Sequence, residues 1–147
     1  MRGNVALTVI SANTTRDTDT FGKMDPYVIL KIGSSKTEHK TSVKDSAGKT
    51  PVWNEVINLD IPSTNEVLHV IVMDKDPVGS DLVGEVDIQL SDLCSTRAER
   101  DFTLIYKKKS CGTIKLKADF KEAASAPKAL TNSSNKTLEV MSTSKPA

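Results

Sequence analysis

The chain of 147 residues is long enough for one domain with a single hydrophobic core. Twenty Lys plus Arg balance nineteen Asp plus Glu, so no overall positive field favours nucleic acid as a partner. The longest apolar stretch near the start, 5–10, contains Thr8 and is too short for a membrane span or signal-peptide core. With only two cysteines and no secretory context, we expect free thiols and a cytoplasmic location.

Apolar and polar residues alternate in short runs between residues 4 and 120, the pattern of strands with one buried face. In the last run, for example, Ile114, Leu116 and Ala118 alternate with charged residues. The pattern predicts an all-β, eight-stranded antiparallel β-sandwich. The predicted strands lie at about 4–12, 26–33, 36–43, 52–61, 67–74, 83–90, 101–106 and 112–120.

The composition changes at residue 121 to Ala, Ser, Thr, Asn, Lys and Pro without periodicity. Such a segment offers little apolar surface to offset the entropy of ordering the chain. We therefore expect a domain at 1–120 followed by a flexible, low-complexity tail at 121–147.

Acidic residues concentrate in the loops that the predicted topology brings together. The first, third and fifth strands end at the same edge, so loops 13–25, 44–51 and 75–82 cluster there. The acids of the first and third of these loops are Asp17, Asp19, Asp25, Asp74, Asp76 and Asp81. Converging carboxylates repel one another unless they are solvated, partly protonated or neutralised by cations. Ca²⁺ suits irregular loops because it accepts six to eight oxygen ligands at variable geometry.

Three motifs in this order resemble the C2 domain family over residues 4–120. They are Asp-Thr-Phe-Gly-Lys-Met-Asp-Pro-Tyr-Val at 19–28, Pro-Val-Trp-Asn-Glu at 51–55, and Met-Asp-Lys-Asp at 73–76 with Asp-Leu-Val-Gly-Glu at 81–85. The chain is most similar to small single-domain C2 proteins of plants, with the type II permutation of strands. The resemblance implies a Ca²⁺-dependent module that binds anionic phospholipid membranes, as a sensor or a membrane-targeting protein.

The same resemblance implies the metal ligands. They are the carboxylates of Asp19, Asp25, Asp74, Asp76 and Asp81, helped by the main-chain carbonyls of Thr18 and Lys75. Four residues separate Asp76 from Asp81, one fewer than is common in Ca²⁺-binding members. This shorter third loop predicts that one ion site is weakened.

Two kinds of side chain are candidates for lipid contact. Phe21 and Val78 occupy the middle of the first and third loops, where they would reach a membrane; the alternative is that Phe21 folds back onto the start of the second strand. Four lysines lie on or beside the second and third strands: Lys31, Lys36, Lys40 and Lys44. In the family the equivalent face often binds phosphoinositide head groups, which the resemblance implies for these lysines. Glu38 interrupts this patch, and a merely solvated face is the alternative. The run 107–109 is interpreted as a solubilising turn.

Other classes of function have weaker support. Residues 74–85 nearly match an EF-hand loop, but the flanking segments 67–73 and 83–90 alternate as strands, whereas an EF-hand needs helices. No Ser or Cys nucleophile has an evident His base, and no Gly-rich phosphate loop occurs, so we expect no catalysis. A Ca²⁺-independent protein-interaction module is the alternative function, and a protein partner is compatible with either.

Overall fold

The structure is a computed structural model that describes residues 1–16, 23–33 and 35–123. Its elements are β1 (Gly3–Thr14), β2 (Pro26–Ile32), β3 (Glu38–Lys40), β4 (Val52–Ile61), β5 (Val67–Lys75), β6 (Ser80–Gln89), α1 (Leu90–Leu93), β7 (Arg100–Tyr106) and β8 (Lys109–Glu122). All pairings are antiparallel, which confirms the prediction of an eight-stranded, all-β fold. In the described part of the chain, no helix is long and apolar enough to cross a membrane.

The strands form two layers around one core. Their order is β3-β2-β5-β6-β7-β8-β1-β4, and β6 and β7 share a single paired position, Glu85 with Ile105. This narrow junction lets the sheet fold over between β6 and β7, so that two sets of four strands face each other. Strands β3 and β4 are the edges.

The core follows from the period-two pattern of the sequence. Because successive side chains of a strand point to opposite faces, every second residue of an alternating run is buried. In the first layer the fully buried side chains include those of Leu30 in β2 and of Leu68 in β5. In the other layer they include Leu7 of β1 and Leu116 of β8, and all four belong to one hydrophobic cluster.

The C-terminal strand completes the sheet beside the first strand. Residues of β8 pair with β1 from Gly3 opposite Glu122 to Thr14 opposite Gly112, and β4 pairs with the other edge of β1. This is the arrangement expected for the type II permutation. It also places the end of β1 and the start of β8 at the same end of the sandwich.

Strand β3 is shorter than predicted, spanning Glu38–Lys40 instead of 36–43. The hydrogen-bond ladder between β2 and β3 ends at Thr41, because the side-chain hydroxyl of Thr41 takes the place of its main-chain carbonyl as the acceptor. The Thr41 amide still donates to the Val28 carbonyl (3.0 Å), but the Val28 amide donates to the Thr41 hydroxyl (2.9 Å). The predicted strand is therefore present, and it ends three residues earlier than predicted.

The sixth and eighth strands also differ from their predicted bounds. Strand β6 begins at Ser80 rather than 83, and β8 extends from Lys109 to Glu122 rather than over 112–120. Leu90, predicted to end the sixth strand, instead begins helix α1. Leu90 and Leu93 are both buried, and a spacing of three residues puts two side chains on one face of a helix.

Both cysteines lie within the described residues and are free thiols. Burial raises the pKa of the Cys111 thiol, an effect that the nearby Arg16 guanidinium partly offsets. Burial also raises the pKa of the Cys94 thiol. Both groups therefore stay protonated at neutral pH, and Cys111 packs in the core as a small apolar side chain.

Gly112 allows β8 to lie close to the end of β1, because it has no side chain at this position. Its φ of 128° suits glycine, and a Cβ there would collide with the Asn13 carbonyl oxygen. Gly79 also has a positive φ, 88°, but a Cβ there would meet nothing within 4 Å. We expect Gly112→Ala to lower the free energy of unfolding by about 3 kcal/mol and Gly79→Ala by about 1 kcal/mol. Urea unfolding would measure both, and equal losses would contradict the close approach.

Candidate metal edge

The start of β2 and the end of β5 are tied together by the acidic residues themselves. The main-chain amide of Asp25 donates to Oδ1 of Asp74 (2.8 Å). The main-chain amide of Lys75 donates to the Asp25 carbonyl (3.0 Å). Asp25 precedes β2 and Asp74 lies one residue before the end of β5, so the first and third loops meet here.

The second loop joins the same point. The Ser46 amide donates to Oδ1 of Asp25 (2.6 Å), and the Gly48 amide donates to the carbonyl of Met24 (3.0 Å). Met24 is fully buried and anchors this segment on the core. The predicted clustering of the loops at one edge is therefore present in the described parts of all three. We call this edge, where Asp25, Ser46 and Asp74 meet, the metal edge.

Three carboxylates meet at this edge. Oxygen atoms of Asp74, Asp76 and Asp81 all lie within 4.8 Å of one another. Asp81 is directly opposite Asp74 in the β5–β6 pair, which explains why residues seven positions apart come together. Asp74 is fully buried, Asp76 is half-buried and Asp81 is exposed, so the group opens from the core toward solvent. We call these three residues the acidic cluster.

The donor set of the acidic cluster fits a hard divalent cation. Its three carboxylates supply only oxygen, the ligand type that Ca²⁺ and Mg²⁺ prefer, and no thiolate or imidazole that would favour zinc or copper belongs to it. A carboxylate has about four lone-pair sites, so the hydrogen bond that Asp74 accepts leaves it able to bind metal. All three residues belong to the β5–β6 hairpin and its turn. Ca²⁺ accepts the variable geometry that such a loop supplies, whereas Mg²⁺ requires a strict octahedron.

The other predicted metal ligands lie partly within the described residues. Asp25 touches the acidic cluster through its bond to Asp74, and Lys75 ends β5 beside it. The predicted ligands Asp19 and Thr18, and the predicted lipid contact Phe21, lie outside the described residues. The short third loop does not separate Asp81 from its partners, since its carboxylate belongs to the acidic cluster.

Val78 stands at the tip of the third loop. Its side chain is 93% exposed, the largest value among the exposed large hydrophobic residues of the described chain. The turn is closed by the Asp76 amide, which donates to the carbonyl of Gly79 (3.0 Å). An apolar side chain is thus presented to solvent directly beside the acidic cluster.

The four lysines predicted to bind lipid lie in three segments: the β2–β3 pair, the segment before β3 and the second loop. Lys31 and Lys40 share the outer face of the β2–β3 pair, where Glu38 stands directly opposite Lys31. Lys36 is exposed in the segment before β3. Lys44 lies in the second loop, and its Nζ is 4.0 Å from the Glu55 carboxylate. Acidic neighbours therefore accompany two of the four.

Sequence reasoning missed Arg16 as an organiser of this end of the sandwich. Its guanidinium donates to the carbonyl of Leu82 from Nε (3.4 Å) and Nη2 (3.3 Å). The same group stacks over the Tyr106 ring at 3.5 Å from the centroid. Arg16 thus joins the exit of β1 to β6 and β7, and no local motif announces a contact between residues 90 positions apart.

Comparison with known proteins places these features in a family. The model of a family described as "C2 domain" matches residues 3–105. Elicitor-responsive protein 1 of Oryza sativa subsp. japonica is 40% identical over 83 residues, which cover 53% of this chain and 51% of that protein. The chain thus spans about half the length of this relative.

Solved structures share the fold. A single C2 domain of plant extended synaptotagmin 1 has a TM-score of 0.73 at 26% identity, covering 84% of this chain and 97% of that one. The pair of C2 domains of extended-synaptotagmin 2, in a structure described as calcium bound, gives a TM-score of 0.68 at 25% identity. That match covers 80% of this chain and 45% of the other.

Asp74 is expected to hold the loops together through its hydrogen bond as well as through any metal. Asp74→Asn keeps an oxygen acceptor for the Asp25 amide, whereas Asp74→Ala leaves that amide without this partner. Both changes remove the same charge. We therefore expect the Asn variant to be more stable than the Ala variant by about 1–3 kcal/mol in urea unfolding with chelator present. Equal stabilities would show that the bond contributes nothing.

Proposed function

The chain belongs to the C2 domain family, and we propose that it is a membrane-targeting module whose binding to anionic phospholipid depends on Ca²⁺. The observation that carries this proposal is the acidic cluster, three carboxylates converging at the end of the sandwich where three loops meet. In the absence of a cation their mutual repulsion opposes the folded arrangement. The calcium-bound description of a structural relative supports the choice of metal.

In the proposed mechanism, the carboxylates of Asp74, Asp76 and Asp81 would hold the cation. Further ligands would be Asp25, Asp19 and the main-chain carbonyls of Thr18 and Lys75. Bound Ca²⁺ supplies positive charge and open coordination positions for phosphate oxygens of lipid head groups. Asp74 is the fixed member because it is fully buried and hydrogen-bonded. Asp81 is exposed at the rim, so it would be the member closest to the lipid.

Apolar contact adds to this attraction. Val78 is almost fully exposed beside the acidic cluster, so a membrane that reaches the metal also meets this side chain. Transfer of a valine side chain from water into an apolar environment contributes about 1.5 kcal/mol. We propose the same role for Phe21. Lys31, Lys36, Lys40 and Lys44 are proposed contacts for anionic head groups, including phosphoinositides.

The proposal describes a cytoplasmic protein without catalysis of its own, recruited to membranes when Ca²⁺ rises. The alternative is a Ca²⁺-independent module that binds a protein. The internal hydrogen bonds of Asp25 and Asp74 favour that alternative to the extent that they give these acids a structural role. They do not explain why Asp76 and Asp81 join the same cluster.

Ca²⁺ is expected to raise the melting temperature, because it binds the assembled acidic cluster and not the unfolded chain. At a Ca²⁺ concentration 100 times its dissociation constant, the gain in unfolding free energy is about 2.7 kcal/mol. Calorimetric scans in chelator, in Ca²⁺ and in Mg²⁺ would measure it. Identical melting curves in chelator and in millimolar Ca²⁺ would contradict the metal site.

Asp74→Asn combined with Asp76→Asn should abolish Ca²⁺-dependent sedimentation with phosphatidylserine vesicles, since two of the clustered carboxylates are lost. The apo fold should remain intact, because the Asn side chain keeps the acceptor for the Asp25 amide. Asp60→Asn combined with Asp101→Asn is the matched control, because it removes two exposed carboxylates outside the acidic cluster. Ca²⁺-dependent binding by the first variant would place the principal site elsewhere.

A further inference from the structure

The β7–β8 turn lies at the same end of the sandwich as the acidic cluster. Gly112, near the start of β8, is opposite Thr14, the last residue of β1. The next amide, that of Thr15, donates to the Cys111 carbonyl (2.9 Å). Because β1 leads directly into the first loop, the turn that precedes β8 stands beside the loops of the metal edge.

The direction of the strands also places this turn at the same end as the acidic cluster. Glu85 of β6 is opposite Ile105 of β7, and these strands are antiparallel. Lys107 follows the last residue of β7, and Asp81 is the second residue of β6. The turn and the acidic cluster therefore lie at the same end of these two strands.

Four basic residues gather at this turn, and we call Arg16, Lys107, Lys108 and Lys109 the cationic turn. The three lysines are exposed. The Tyr106 ring holds two of the cations: the Arg16 guanidinium carbon lies 3.5 Å from its centroid and the Lys107 Nζ lies 5.4 Å from it. The ring attracts both cations, so it keeps like charges near each other at the surface.

Among the described residues, no acidic side chain forms an ion pair with a residue of the cationic turn. Glu85 and Asp87 line the same surface hollow as Lys107 and Lys108, yet neither carboxylate forms a salt bridge with these lysines. Asp87 is instead paired with His69, whose Nδ1 lies 2.6 Å from its Oδ1. The lysine ammonium groups are thus available to an external anion.

The backbone of the turn is unfavourable for lysine. Lys107 has φ 49° and Lys108 has φ 67°, and a two-residue hairpin turn with both values positive prefers Asn-Gly. Side chains with a Cβ are disfavoured in this region of backbone space. Lysine at both positions therefore lowers the stability of the turn while adding two positive charges. This combination indicates that the charges have a function.

We propose that the cationic turn is a second contact with the anionic phospholipid surface, docking on the same leaflet as the metal edge. This inference rests on the proposed function and extends it to residues outside the three loops. The charge of the cationic turn is permanent, whereas the acidic cluster attracts anionic lipid only when a cation is bound. The turn therefore strengthens Ca²⁺-dependent binding without replacing the metal.

The test uses the full chain with vesicles of phosphatidylcholine alone or mixed with phosphatidylserine, with and without Ca²⁺. Lys107→Asn combined with Lys108→Gly installs the preferred turn and removes two charges. It should raise the melting temperature and weaken Ca²⁺-dependent binding about 25-fold, which is about fivefold for each lysine. Lys107→Arg with Lys108→Arg keeps both charges at the same backbone positions and should bind as the wild type does.

The matched control is Lys117→Gln combined with Lys121→Gln, which removes two exposed lysines of β8 away from the turn and should bind as the wild type does. Wild-type affinity in the Asn-Gly variant, or an equal loss in the control or in the Arg variant, would overturn the role of the cationic turn while leaving the metal edge standing. Absence of Ca²⁺-dependent binding by the wild type would overturn the proposed function and this inference together.

Discussion

The hydrogen bond from the Asp25 amide to the Asp74 carboxylate is the contact on which the metal edge depends. Asp74 is fully buried, and a buried carboxylate needs hydrogen-bond donors or a cation to offset its lost hydration. The Asp25 amide supplies one donor, and the Asp25 carboxylate in turn accepts from the Ser46 amide. A single buried acid thus draws the start of β2, the end of β5 and the second loop to one place.

The charges at this end of the sandwich are arranged in two adjoining groups of opposite sign. The acidic cluster lies on the β5–β6 hairpin and the cationic turn on the β7–β8 hairpin, with Arg16 attached to both β6 and β7. In the proposed function the first group changes its effective charge with metal and the second does not. On this proposal, the metal makes binding depend on Ca²⁺, and the fixed charges orient the domain toward an anionic leaflet.

Most of the fold could be predicted because period-two alternation reports directly which face of a strand is buried. The convergence of Asp25 with Asp74 could also be predicted, since it follows from the order and direction of the strands. The early end of β3 could not, because it depends on the hydroxyl of Thr41 taking the place of a main-chain acceptor.

The cationic turn escaped sequence reasoning for a different reason. A run of lysines normally indicates a solvated segment, and the sequence at 107–108 lacks the Asn-Gly signature that would mark a tight hairpin. Only the positive φ angles, and the stacking of Arg16 and Lys107 on one tyrosine, show that these charges are held in a defined position. The ligand roles predicted for Asp19 and Thr18, and the lipid contact predicted for Phe21, stay predictions because these residues lie outside the described chain.

We propose that a divalent cation binds at the point where the three loops meet. The most direct measurement is a Ca²⁺ titration of the isotope-labelled protein followed by amide resonances in two-dimensional NMR. We expect large shifts for the amides of Asp25, Ser46 and Asp76, little change at the opposite end of the sandwich, and a weaker response to Mg²⁺. Unchanged loop resonances at millimolar Ca²⁺, or shifts centred elsewhere, would contradict it.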